Sequence, residues 1–238
     1  EKTGTRFEIA SVYISFPKNV TIEGLYVEDQ KNDTLVNIGT LDVNIGLFGL
    51  LKNQVNINNV LLENSTVNLF KDSISGEFNF DFIIKSFQGD TTKTEESESN
   101  WKINAGGLEL KNFRFTYVDQ VTKMNIAATI PEFDLDMDEF DLDSMRFVAD
   151  EFALEGAVIT VETFGTNNEE ESIDDSNEEE ETDLSLGINV LKIIKSHIRY
   201  IDLQQEALAE IDDLWLRNNG FSLKNQEIKS DLVQLQNS

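Results

Sequence analysis

The chain has no cysteine, a single histidine, and only 19 Lys and Arg against 45 Asp and Glu. Without cysteine there is neither a disulfide framework nor a thiolate metal site, and since an oxidising compartment does not require disulfides, the compartment stays open. Any His-based triad or His-rich metal centre would rest on His197 alone. That residue sits in a strand-like run, so a structural role is expected for it. No Gly-x-Ser-x-Gly elbow, phosphate-binding loop, dinucleotide fingerprint or His-Glu-x-x-His pattern occurs. The formal net charge of -26 opposes binding to nucleic acid and to anionic membrane surfaces, both of which call for clustered Lys and Arg. Long apolar runs are also missing: the longest, Ile45 to Leu51, falls far short of the roughly 20 residues that cross a bilayer. The chain starts at Glu1 and its methionines are Met124, Met137 and Met145, so the natural N-terminus is expected upstream, where a signal or anchor would lie.

What the chain does have is alternation, and it has it more than once. The segment VLLENSTVNL (Val60 to Leu69) returns as FALEGAVITV (Phe152 to Val161), with Leu-Glu, a small residue and a Val/Ile-x-Val/Leu ending at the same offsets. At a different constant offset, Trp101, Ile103, Leu108, Leu110, Phe115, Tyr117 and Asp119 return as Leu184, Leu186, Leu191, Ile193, Ile198, Tyr200 and Asp202. Phe152 and Leu154 are echoed once more by Val233 and Leu235. Repeated units of alternating apolar residues predict stacked β units sharing one hydrophobic interior, an elongated arrangement rather than a globular one.

The strand signals include Val20 and Ile22; Leu41, Val43 and Ile45; Val55 and Ile57; Val67 and Leu69; Phe113, Phe115 and Tyr117; and Phe133, Leu135 and Met137. Gly24 and Gly156 interrupt such runs and shift their phase by one residue, which predicts bends of the β-bulge kind. Turn chemistry marks Asp29 to Asp33, Lys71 to Gly76 and Arg217 to Gly220. The pattern predicts many short antiparallel strands. Helix is expected at most twice, in LFGLLKN (47–53) and in DFIIKSF from Asp81, while the segment from Leu186 to Ile201 reads as strand by its alignment with the Trp101 segment. Two polar tracts, 88–100 and 165–183, carry too little apolar surface to offset the entropy of ordering and are expected as mobile loops. They divide the chain into units at 1–87, 101–164 and 184–238.

The Asp-rich run from Asp134 to Met145 resembles a calcium loop only at first. Its sixth position is Glu139 where an EF-hand needs glycine, and its twelfth is Met145 where it needs glutamate. Alternation accounts for it better, with Phe133, Leu135 and Met137 on one face and Asp134, Asp136 and Asp138 toward solvent. A calcium-binding surface or adhesive β-repeat protein with a closed core is the alternative this run and the Glu-rich stretch 178–181 support. A carboxylate pair for glycoside hydrolysis is a third class, but no residue stands out for it and no catalytic residue is nominated. What remains is the apolar face itself. Alternation alone fits both a closed, filled core and an open groove, and taken by itself favours the filled core slightly.

One stretch is more specific. TRFEIASVYISFPKNVTIEGLYVEDQKNDTLVNIGTLDVNIGLFGLLKNQVNINNVLLENSTVNLF (Thr5 to Phe70), followed by GEFNFDFII (Gly76 to Ile84), resembles the AsmA-like, N-terminal part of the TamB family of Gram-negative envelope proteins. The later units match more loosely through LELKNFRFTYVD and FALEGAVITV. The resemblance implies a long antiparallel sheet curled into a U-shaped, taco-like hydrophobic trough, and a periplasmic body tethered to the inner membrane by an N-terminal helix outside this chain. It further implies a role in phospholipid transport and outer-membrane protein assembly, with phospholipid as cargo and an outer-membrane barrel as partner through regions outside this chain. No enzyme activity, cofactor or metal comes with it. It implies only a class of inward-facing apolar positions, for which the candidates are Ile22, Val43, Ile57, Leu69, Phe115, Tyr117, Leu135, Phe152, Ile159, Ile198 and Trp215.

Overall fold

Successive side chains of an extended backbone point to opposite faces, so alternating apolar residues are buried efficiently only as strands. The computed structural model describes residues 4–15, 19–46, 49, 53–87, 102–141, 145–164, 185–203, 205–222, 227–229 and 232–236. In chain order the strands are β1 (Phe7–Glu8), β2 (Ser11–Ser15), β3 (Asn19–Glu28), β4 (Thr34–Gly46), β5 (Gln54–Lys71), β6 (Lys102–Ala105) and β7 (Gly107–Asp119). There follow β8 (Met124–Asp141), β9 (Arg146–Glu155), β10 (Val158–Thr163), β11 (Ser185–Ile201), β12 (Glu206–Ser222), β13 (Glu227–Lys229) and β14 (Leu232–Gln236). All of them belong to one sheet, and the fold is all-β. A short helix, α1 (Asp81–Phe87), forms where the sequence predicts one, and the Asp81 carboxylate accepts the Phe78 N–H at 2.9 Å. The helix expected over 47–53 and the two polar tracts lie outside the described residues, apart from Gly49 and Asn53.

Strand order follows the chain. β1 and β2 lie along β3; then come β4, β5, β6 with β7, β8, β9 with β10, β11, β12, and last β13 with β14. Two features differ from the expected short antiparallel strands. Several strands are long, up to 18 residues in β5 and β8. Two junctions are parallel, β5 with β6 and β7, and β9 and β10 with β11. The physical reason is parity. Three antiparallel strands leave the last pointing the same way as the first, so the chain must return across the sheet before the next group starts, through a connection of a dozen or more residues. Those connections join Lys71 to Lys102 and Thr163 to Ser185. The segments that echo one another in sequence accordingly hold equivalent places: β7 and β11 open their groups, while β5 and β9 with β10 close theirs.

An aspartate ends the first strand of each group and organises the turn to the second. Asp29 Oδ1 accepts the N–H groups of Lys31 and Asp33 at 2.8 and 2.9 Å. Asp119 Oδ1 accepts those of Val121 and Thr122 at 2.8 and 3.0 Å, and Asp202 Oδ1 accepts that of Gln205 at 2.7 Å. Such Asx geometry replaces strand pairing for turn N–H groups that would otherwise go unsatisfied. The turn expected at Arg217 to Gly220 does not form. β12 runs straight through it, pairing Asn219 with Ile188 and Gly220 with Gly187, because a ladder along the whole of β11 outweighs the local preference of an Asn-Asn-Gly sequence.

A line of interrupted pairing crosses the sheet at right angles to the strands. The ladders between the long strands each skip one or two pairs here, and among the skipped residues are the neighbours Gly24, Gly39, Asn64, Asn112, Pro131, Gly156, Lys195 and Asp212. In the strands running one way these residues take left-handed φ values: Gly24 63°, Asn64 53°, Asn112 52°, Gly156 67° and Lys195 46°. Gly and Asn are the residues that reach this region at least cost. The apolar phase changes at this line in every strand, from Leu62 to Ser65, from Leu110 to Phe113 and from Ile193 to Ser196. The non-glycine residues on the line point their side chains to solvent, so two successive residues face outward and the apolar set stays on one face. Serine hydroxyls accompany the break: Ser65 donates to the Glu63 carbonyl at 3.2 Å, and Ser196 to that of Ile194 at 2.9 Å. A second, parallel line of irregular pairing passes Asn58, Gly106, Met137 and Asn189. There a Cβ on Gly106 would come within 2.5 Å of the Asn58 carbonyl oxygen, so only glycine fits.

Candidate functional site: a continuous apolar face

Register turns the sequence alternation into rows. Ile22, Leu41, Leu62, Leu110, Phe133, Leu154, Ile193 and Leu214 lie side by side across eight strand positions. Next to them run Val20, Val43, Val60, Leu108, Leu135, Phe152, Leu191 and Leu216. Beyond the first line of bends come Val27, Val36, Val67, Phe115, Ala128, Ile159, Ile198 and Ala209, and then Leu69, Tyr117, Ile126, Val161, Tyr200 and Ala207. Phe133 and Phe152 meet edge to face at 5.0 Å within this surface. The opposite face is charged, as in the row Glu63, Lys111, Glu132 and Glu155.

Ten of the eleven lining candidates fall on the apolar face: Ile22, Val43, Ile57, Leu69, Phe115, Tyr117, Leu135, Phe152, Ile159 and Ile198. Trp215 does not, which corrects the expectation for it. It pairs with Lys192, while its neighbours Leu214 and Leu216 pair with Ile193 and Leu191, so alternation puts it on the charged face with the Lys192 ammonium 5.1 Å from its ring. Leu-Trp-Leu is apolar throughout and carries no phase of its own, so only the β11 register decides which member turns outward.

All ten are half-buried. In a closed sandwich or filled barrel, large residues on the inner face would be covered by a second layer and lose nearly all exposure. Here the buried apolar residues among those described are Val27, Leu35, Ile38, Leu110, Ala149, Leu154 and Ala157, of which only Leu35 and Ala157 are fully enclosed. No ladder among the described residues joins β1 or β2 to β13 or β14, so the sheet keeps two free edges. The residues that sequence reading missed are the bend formers Asn64, Asn112 and Lys195. The signal was available in the phase change at each of them, which only Gly24 and Gly156 announce by residue type.

One ionisable pair, Tyr117 and Asp119, lies at the end of the apolar face. Burial pushes the Asp119 carboxyl up, but the Thr122 N–H, the Tyr117 and Thr122 hydroxyls and the Val121 N–H outweigh it and hold the group down to about 2. Tyr117, donating to Asp119 at 2.8 Å, is pushed up by that bond, by burial and by the carboxylate charge. On the charged face, Asp134 is raised by burial and then by the repulsion of Asp136, Glu109 and Glu151. A cleft of about 280 Å³ on that side is lined by Glu109, Lys111, Glu132, Asp134 and Glu155 among others. Among the described residues, no group of three or more His, Asp or Glu is placed to hold a metal ion, and the Glu-rich stretch 178–181 lies outside them. No described helix is long and apolar enough to cross a membrane. No protein-family model matches the chain, and no curated protein matches it in sequence.

Proposed function

We propose that the apolar face is the lining of a groove for lipid acyl chains, and that this chain is a periplasmic segment of an AsmA/TamB-like protein that guides phospholipid toward the outer membrane. The observation that carries this reading is the half-burial of all ten lining residues in a single open sheet. Such a surface runs on from strand to strand instead of breaking into isolated patches, and it calls for an occupant. If both lines of bends turn the same way, the sheet becomes a U-shaped trough with the apolar rows inside. The charged face then stays in water and resists association through that face. Transfer is passive, without catalytic residues or cofactor. Anchorage to the inner membrane and contact with an outer-membrane barrel belong to regions outside this chain.

Phe115→Glu and Leu135→Glu test the reading. A glutamate at a half-exposed groove position keeps much of its hydration and repels or displaces an acyl chain, whereas in a filled core it is an unpaired buried charge costing several kcal/mol. The expected result is co-purified or photo-crosslinked phospholipid on the parent chain, loss of that labelling in both variants, and melting points within about 5 °C of the parent. A lipid-free parent that also resists crosslinking, or collapse of the fold in both variants, would overturn it.

A further inference from the structure

The apolar rows do not end in polar residues at the β2 side of the sheet; they stop. Val12 pairs with Ile22 and Ile14 with Val20, so both extend the rows described above, yet they are 51 % and 76 % exposed because no described strand lies beyond them. Tyr13, on the other face, is 55 % exposed. Among the described residues β2 pairs only with β3, leaving its second edge of backbone N–H and C=O groups without a ladder. Edge strands are ordinarily guarded by a charge, a proline or a bulge, and Ser11 to Ser15 contains none of these. The strand is also its own complement. Ser-Val-Tyr-Ile-Ser reads the same in both directions at the level of side-chain type: serine, β-branched aliphatic, tyrosine, β-branched aliphatic, serine.

We propose that two copies of this chain join through β2 as an antiparallel pair centred on Tyr13. Ser11 then faces Ser15 of the second copy, Val12 faces Ile14, and Tyr13 faces its own counterpart. A two-fold axis perpendicular to the sheet leaves the apolar faces of both copies on the same side, so the rows run on across the junction. Such an interface is isologous and closes at two copies. No other arrangement of the free edges pairs like with like at all five positions of β2. Main-chain bonds supply the attraction and the Val12 to Ile14 contacts supply the match, as in strand addition generally. Five residues per copy bury far less than the roughly 1,600 Å² of a standard interface, so a weak, concentration-dependent dimer is expected. The net charge of -26 on each copy opposes approach, so added salt strengthens the dimer.

Sedimentation equilibrium of the chain across a wide concentration range, at low and high salt, reads the assembly directly. The expected result is a monomer–dimer equilibrium that shifts toward dimer with salt. Tyr13→Lys sets like charges opposite each other and should weaken it by roughly tenfold or more, while the circular dichroism and melting point stay at parent values because the side chain is exposed. Tyr13→Glu should behave likewise, and an equimolar mixture of the two variants should regain dimer. Monomer at every concentration, a dimer indifferent to both substitutions, failure of the mixture to recover, or open-ended growth through the β14 edge would each overturn the proposal.

Discussion

Gly156 offers the sharpest test of the line of bends, because its cost can be separated into two parts. Its φ of 67° lies in the left-handed region, where an L-residue costs about 1–2 kcal/mol. A Cβ there would also lie 3.3 Å from Pro131 Cγ, tight enough that the ring must yield by a few tenths of an ångström. Pro131 is the neighbouring member of the same line, and although no ladder pair holds it, Ile130 and Glu132 on either side are paired to β7, which limits how far its ring can yield. Gly156→Ala is therefore expected to cost about 2–3 kcal/mol, and Gly156→Val about 1 kcal/mol more through overpacking. Gly76 supplies the control. Its φ of 69° is the same, but a Cβ there meets nothing within 4 Å, so Gly76→Ala should show the backbone part alone, about 1–2 kcal/mol. Urea titration followed by circular dichroism measures both, with the slope checked for constancy since a repeat array can unfold in parts. A Gly156→Ala cost equal to or below that of Gly76→Ala would refute the idea that the bend is held by contact between neighbouring strands.

Two further outcomes follow from the carboxylates. Asp119 has its folded-state pKa lowered to about 2 from an ordinary 3.8, so its contribution is fully present above pH 4 and is lost as pH falls from about 4 through 2. Asp119→Asn should therefore cost roughly 1–2 kcal/mol at pH 7 in thermal or urea melts, with the difference from the parent vanishing near pH 2. A constant difference across that window would sink the argument. Asp134 is the opposite case: its folded-state pKa is raised, so its charge opposes folding at neutral pH and protonation relieves it. Asp134→Asn should raise stability at pH 7 by a few tenths of a kcal/mol after solvent screening, an advantage that disappears below pH 4.

Period-two alternation made the strands and the apolar face legible, because side-chain direction is a local property of an extended chain. Gly156 and Gly24 likewise announced their bends by type. Pairing direction was not legible: Leu110 alternates with its neighbours identically whether β7 runs parallel or antiparallel to β5. Nor could alternation place Trp215, whose neighbours are both leucine. Asn64 and Asn112 hid in plain view, since asparagine within a polar-apolar run reads as an ordinary outward residue. Their cross-strand bond, Asn112 Nδ2 to Asn64 Oδ1 at 2.7 Å, depends on a parallel junction between segments 48 positions apart, which no local pattern encodes.

The direction of the apolar rows bears on how such a face could act on lipid. Each row crosses the strands, so a path along it is assembled from one residue per strand, and every strand must present the same class of side chain at the same height. Repetition of a three-stranded group meets that requirement without any single segment being long or continuously hydrophobic. From Ile22 to Leu214 the row passes eight strand positions, and at about 4.8 Å between strands it extends roughly 34 Å. The hydrocarbon of one leaflet is about 15 Å deep, half of the bilayer core. An acyl chain lying along the row would therefore cover fewer than half of the positions and could advance by exchanging one aliphatic contact for an equivalent one. In the row beside the bends, Ser65, Ala157 and Ser196 stand among Leu25, Ile38, Phe113, Ile130 and Ile211. The serines are buried with their hydroxyls turned to the backbone, so they present little polarity to the apolar face. On the proposed reading such a face would hold an acyl chain by area rather than by any one contact, and uniformity along its length would then matter more than a site at any point on it.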